Sequence, residues 1–94
     1  MAGILATQTA ITSTGVAQQL PSNPNNFKSI TFYAPTGNTA NVTIGSSSAV
    51  MASTGYNLVK GGNPLTLVGL NNTNAVWILG TSADVIEYAG AITE

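Results

Sequence analysis

Between Phe27 and Ala34 polarity alternates: Ile30, Phe32 and Ala34 fall on one side of an extended chain, and Ser29, Thr31 and Tyr33 on the other. That is the pattern of a half-buried β-strand, and Pro35-Thr36-Gly37-Asn38 supplies the turn that ends it. Ala40, Val42 and Ile44 then alternate with Asn41 and Thr43, so residues 39–45 are expected to return beside the first strand as a hairpin. A Ser/Thr-rich connection follows, with a short apolar piece at Ala49 to Met51, before Ser53-Thr54-Gly55 leads into a strand at Tyr56 to Val59. Lys60-Gly61-Gly62-Asn63-Pro64 reads as another hairpin turn. Residues 65–70 are apolar on both faces, which predicts a strand that is central or covered. Asn71 to Asn74 end it, and Ala75 to Leu79 and Ala83 to Ala89 form the last two strands. One more strand is expected near Gly15 to Leu20, preceded by a weakly patterned arm, Met1 to Thr14.

No segment holds apolar residues at helical spacing over three turns, and Gly, Pro, Asn and β-branched residues recur throughout. The expected fold is all-β: a single small antiparallel β-sandwich over residues 1–94, jelly-roll-like or Ig-like, of about 6–8 short strands. Residues 1–14 would be an extended N-terminal arm and residues 15–94 the sandwich.

Composition narrows the function. Charged residues are 5% of the chain, against about 25% in an average soluble domain. The deficit is filled by 13 Thr, 10 Asn, 8 Ser and 3 Gln, so a soluble chain is expected rather than a disordered or membrane-bound one. No apolar run approaches the roughly 20 residues needed to span a bilayer as a helix. Residues Met1 to Thr14 lack the positive start and apolar stretch of a signal peptide. Two Lys and a net charge of -1 give no basic footprint for a phosphate backbone, so nucleic acid is not an expected partner. With no Cys and no His, disulfides, thiol chemistry, zinc sites of the usual kind and imidazole catalysis are excluded within these residues.

The remaining candidate chemistry is thin. Asp84 and Glu87 are three apart, which places them on opposite faces of a strand, where they cannot converge on one substrate. Lys28 and Lys60 could activate a Ser only in a nucleophile context that no Ser here has; the simpler reading is solvated, edge-protecting charge. Gly61-Gly62 lacks the following helix and the spacing of a phosphate loop, and Pro64 removes a donor. A lone Asp84 among scattered Asn is poor provision for calcium. Asn41-Val42-Thr43 and Asn71-Asn72-Thr73 match the glycosylation sequon, as chance allows in a chain so rich in Asn and Thr. No enzyme activity, metal or cofactor is expected. Phe32 is expected in the core, whereas Tyr33, Tyr56 and Trp77 could face outward, where aromatic rings serve either interfaces or sandwich packing.

Four stretches together carry a resemblance. Phe27-Lys28-Ser29-Ile30-Thr31-Phe32-Tyr33, Ala40-Asn41-Val42-Thr43-Ile44-Gly45-Ser46, Thr54-Gly55-Tyr56-Asn57-Leu58-Val59-Lys60-Gly61-Gly62 and Leu79-Gly80-Thr81-Ser82-Ala83-Asp84-Val85-Ile86-Glu87-Tyr88 are similar to small β-sandwich virion proteins of tailed bacteriophages. The similarity spans roughly residues 16–90, through short motifs. It implies a structural protein of the virion, first of all a capsid decoration or cement protein on the outer surface of the head. Its partners would be the major capsid protein and itself, as a homotrimer. Contacts are then expected through the arm, including Met1, Ala2, Gly3, Ile4 and Leu5, and through Tyr33, Tyr56, Trp77 and Leu79. The alternatives are a carbohydrate-binding adhesion module, with Trp77 or Tyr56 stacking on sugar, and a tail or portal adaptor.

Overall fold

The computed structural model describes residues 3–49 and 55–93. Met1, Ala2, the piece Val50 to Thr54 and Glu94 lie outside the described residues, and with them part of the expected apolar piece after Gly45 and of the turn before Tyr56. Among the described residues there are eight strands, β1 Gly3–Ala10, β2 Gln18–Gln19, β3 Asn26–Tyr33, β4 Val42–Gly45, β5 Tyr56–Leu58, β6 Leu65–Val68, β7 Trp77–Leu79 and β8 Val85–Thr93, and one 3-10 turn at Thr73–Ala75. They form two antiparallel four-stranded sheets, ordered β1-β8-β3-β6 and β2-β7-β4-β5. The order separates the two expected architectures: this interleaving of first with last and second with seventh is a jelly roll, not an Ig sandwich.

The hairpin expected between residues 27–34 and 39–45 does not form. β3 pairs with β8 and β6, whereas β4 pairs with β5 and β7 in the other sheet. Each strand has one apolar face, and such a face can be buried beside a neighbour or across the core from it; alternation is the same in both cases. The Gly61-Gly62 turn likewise joins two sheets, β5 in one and β6 in the other, rather than closing a hairpin. Among the described strands, β4 and β5 are the consecutive pair that shares a sheet.

Ile30 and Phe32 of β3, Ile86 of β8, Val42 and Ile44 of β4, Ile78 of β7 and Leu58 of β5 meet in the core, with Ile11, Leu20, Phe27 and Val76 closing it. Each fully buried aliphatic or aromatic side chain contributes about 1.5–3 kcal/mol. Phe27 is buried although strict alternation from Ile30 points it outward. A register shift between Phe27 and Ser29 against β8 accommodates one extra residue at Lys28, so Phe27 and Ile30, three apart, both face inward.

Two further expectations change. The arm is part of the sandwich: Gly3 to Ala10 pairs residue for residue with β8 from Ile92 to Val85. And β6 is an edge strand rather than a central one; Val68, on its outer face, is 77% exposed.

Candidate functional site

Because neighbours are antiparallel throughout, the connections β1–β2, β3–β4, β5–β6 and β7–β8 gather at one end of the sandwich, where they are bonded to one another. Gly15 N donates to Gly80 O and Ser82 N to Thr14 Oγ1, both between the β1–β2 and β7–β8 connections. Gly61 N donates to Ala34 O, and Lys60 N to Asn41 Oδ1. Gly61 sits at φ 70°, and a Cβ there would run into Thr36 Cγ2, so glycine is favoured.

Asp84 is the chemical centre of this end. Its carboxylate accepts from the backbone amides of Thr39 (2.7 Å) and Ala40 (3.0 Å), and beside it Asn38 bonds Val85 through both side-chain atoms. The Thr39 amide is the main cause that holds the Asp84 carboxyl below its ordinary value of 3.8; burial opposes it, and the Ala40 amide, the Thr39 hydroxyl and the Lys60 charge add to the lowering. Lys60 Nζ donates to Thr39 O at 3.4 Å. An ionised, buried carboxylate whose oxygens are taken by two amides is a structural clamp, unsuited to proton transfer at neutral pH. Glu87 is exposed on the opposite face of the chain, as the offset of three requires. Among the described residues no group of three His, Cys, Asp or Glu could hold a metal ion.

On the outer face of the first sheet, strand pairing sets side chains in rows: Ile4, Ala91, Ser29 and Val68 form one, and Ala6, Ala89, Thr31 and Thr66 the next, with Thr31 and Thr66 hydroxyls 2.9 Å apart. Gln8, Glu87 and Tyr33 follow. A shallow depression of about 480 Å³ lies against Ala6, Thr7, Gln8, Glu87, Tyr88 and Ala89.

The expected contact residues do not converge. Gly3, Ile4 and Leu5 lie on β1, an edge; Ile4 is 82% exposed. Tyr33 is half-buried on the outer face of the first sheet. Trp77 and Leu79 are half-buried on the outer face of the second, between Gln19 and Gly45 and beside Thr43. Tyr56 pairs with the buried Ile44 and so lies on the inner side of the edge strand β5, away from Trp77. Trp77 and Tyr56 therefore cannot form one stacking platform. The clamp of Asn38 and Asp84 was not anticipated; its signal is the single Asp of the sequence, placed at the start of the last strand in a chain nearly free of charge.

No family model and no curated protein matches this sequence. Among solved structures, the chain is similar to one of Bacillus endospore appendages, which form a novel family of disulfide-linked pili. The identity is 22% and the TM-score 0.51, over 98% of this chain and 88% of that one. The likeness is one of fold.

Proposed function

We propose that this protein is a structural subunit that acts through its surfaces and carries no catalysis. The place to which the sequence resemblance points is the outside of a phage head, bound to the major capsid protein lattice, which it would stabilise as a decoration protein. The observation that carries the reading is the outer face of the first sheet. It is a broad set of Ala, Ser and Thr rows bounded by exposed Ile4 and Val68, with Glu87 as the one acid among its described residues. Small neutral side chains lose far less than ions when a neighbour removes their water. Many weak copies on a repeating lattice then gain avidity, and a homotrimer would be one way to match a threefold lattice point.

The test is stoichiometry and rescue: purified protein is added to particles from which it has been stripped, and bound copies and the force or temperature needed to open the shell are measured. Saturable binding at lattice stoichiometry with a stiffer shell supports the proposal; no binding sinks it.

A filament subunit is the second reading. It is favoured by the architecture shared with a pilus subunit and by the two open edges of the first sheet. No cysteine is present among these 94 residues, so such a filament would be held without the disulfide links named for that protein.

A further inference from the structure

The two free edges of the first sheet are complementary to each other, and we infer that a second copy of this chain adds its β1 to β6, extending the sheet from one molecule into the next. The inference rests on the reading of the protein as a structural subunit and names one of its partners.

Both edges are unprotected. β1 runs for eight residues, Gly-Ile-Leu-Ala-Thr-Gln-Thr-Ala, and β6 for four, Leu-Thr-Leu-Val, and neither contains a charge or a proline. Natural edge strands are usually blunted by such residues or by bulges, because an open row of N–H and C=O groups invites another strand. The most exposed large aliphatics among the described residues, Ile4 at 82% and Val68 at 77%, sit on these two edges and in the same row of the outer face.

The ladder says which backbone groups are free. Ile11 N donates to Asp84 O and Ile11 O accepts from Ala83 N, so Ile11 faces β8 with both groups. In an antiparallel ladder the direction alternates, so Thr9, Thr7 and Leu5 also face β8, while Ile4, Ala6, Gln8 and Ala10 turn outward. Ala10 O is taken by Gln18 Nε2 at 3.0 Å, which caps that end of the edge. Carried across β8 and β3, the same alternation turns Thr66 and Val68 outward on β6. Val85, whose N–H and C=O bond Asn38 on the side away from β1, has the direction this requires.

Orientation and register then agree. β1 and β6 run in opposite directions, so a copy set alongside in the same orientation presents β1 antiparallel to β6. Continuing the row Ile4, Ala91, Ser29, Val68 into the next molecule puts Ile4 of the second copy opposite Val68, and Ala6 opposite Thr66. These are outward-facing residues on both sides, the pairs that exchange two hydrogen bonds. On the inner face the same register sets Leu67 against Leu5 of the second copy. Pro64 has no N–H to give, which ends the pairing just before Leu65. The self-pairing alternative, β1 to β1 centred on Ala6, would set Ile4 against Gln8 and leave Val68 exposed. The contact uses two different surfaces, so repetition gives open rows unless the rotation closes them.

Ile4→Lys and Val68→Lys test this, since both positions are exposed and thermal unfolding can check that the fold is kept. The wild type is expected to form multiples as concentration rises in sedimentation velocity. Each variant alone should be monomeric, because each spoils one partner in every junction. Their equimolar mixture should recover dimers and stop there. A second measurement uses Ile4→Cys and Val68→Cys under mild oxidation: Cα atoms of such a pair stand about 5.5 Å apart, within disulfide reach. A linked heterodimer several-fold above either variant alone is expected. A Val68→Lys dimer, or absence of the linked heterodimer together with a monomeric wild type, overturns the inference. If stripped particles still take up such a monomeric protein, only the edge pairing fails; edge pairing without uptake by any particle fails the decoration reading instead.

Discussion

Asn38 treats Val85 as a strand partner would: its Nδ2 donates to Val85 O at 2.8 Å and its Oδ1 accepts from Val85 N at 3.0 Å. A side chain from the β3–β4 connection thus completes the ladder at the start of β8, and it is buried while doing so. This bond pair, with the neighbouring Asp84 clamp, draws the chain from one sheet toward the other where a hairpin was expected.

Asn38→Ala should therefore destabilise by about 1–3 kcal/mol, because it leaves a buried N–H and C=O without partners. Asn38→Asp keeps the acceptor but sets a carboxylate against Val85 O, and is expected to be no better. Chemical denaturation of the two variants checks this through the midpoint at unchanged slope.

The Asp84 clamp has a pH signature. Its carboxyl is lowered in the folded state, first by the Thr39 amide, so the unfolded chain binds the proton more readily. The stability it contributes is complete above the ordinary value of 3.8 and is lost as pH falls from there through the lowered folded value. The melting temperature followed downward from pH 5 should fall on this limb, and Asp84→Asn should start less stable and show a flatter limb. Equal acid slopes would remove the clamp from the explanation.

Ala83 stands at φ 75°. Asp84 N donates to Thr81 O, and Ala83 and Asp84 together oppose Ile11, a turn and bulge whose left-handed position usually belongs to glycine. An alanine there carries about 1–2 kcal/mol of strain, against about 0.4–1 kcal/mol of extra chain freedom that glycine would bring to the unfolded state. Ala83→Gly is expected to leave stability unchanged or raise it by up to about 1.6 kcal/mol, measured by thermal unfolding.

Tyr88 packs its ring on Phe32, centroids 5.5 Å apart, and its hydroxyl reaches Thr9 Oγ1 at 3.0 Å. Tyr88→Phe keeps the ring and should cost about 0.5–1.5 kcal/mol. Phe32→Ala should cost about 3–5 kcal/mol, since the residue is wholly buried in the core.

The extra residue at Lys28 gives a sharper test of strand geometry. Deleting it leaves Phe27 two positions from Ile30 and inward by plain alternation, so the loss should stay well below that of Phe27→Ala, about 3–5 kcal/mol. A deletion as destabilising as Phe27→Ala would show that Lys28 is not simply an extra residue in β3.

What was legible in the sequence was whatever one strand can state by itself. The alternation around Ile30, Phe32, Val42 and Ile44, the turn residues between segments, and the residue inventory together determined an all-β sandwich and left few groups able to do chemistry. That Ile4 and Leu5 open an uncharged segment is legible there too. Tertiary structure alone decided which strands are neighbours, that Val68 lies on an open edge in line with Ile4, and that Asn38 and Asp84 meet. The reason is physical: alternation records only that a face is buried, whereas pairing depends on hydrogen bonds between segments far apart in the chain. An inserted residue such as Lys28 then reverses the face of every position beyond it.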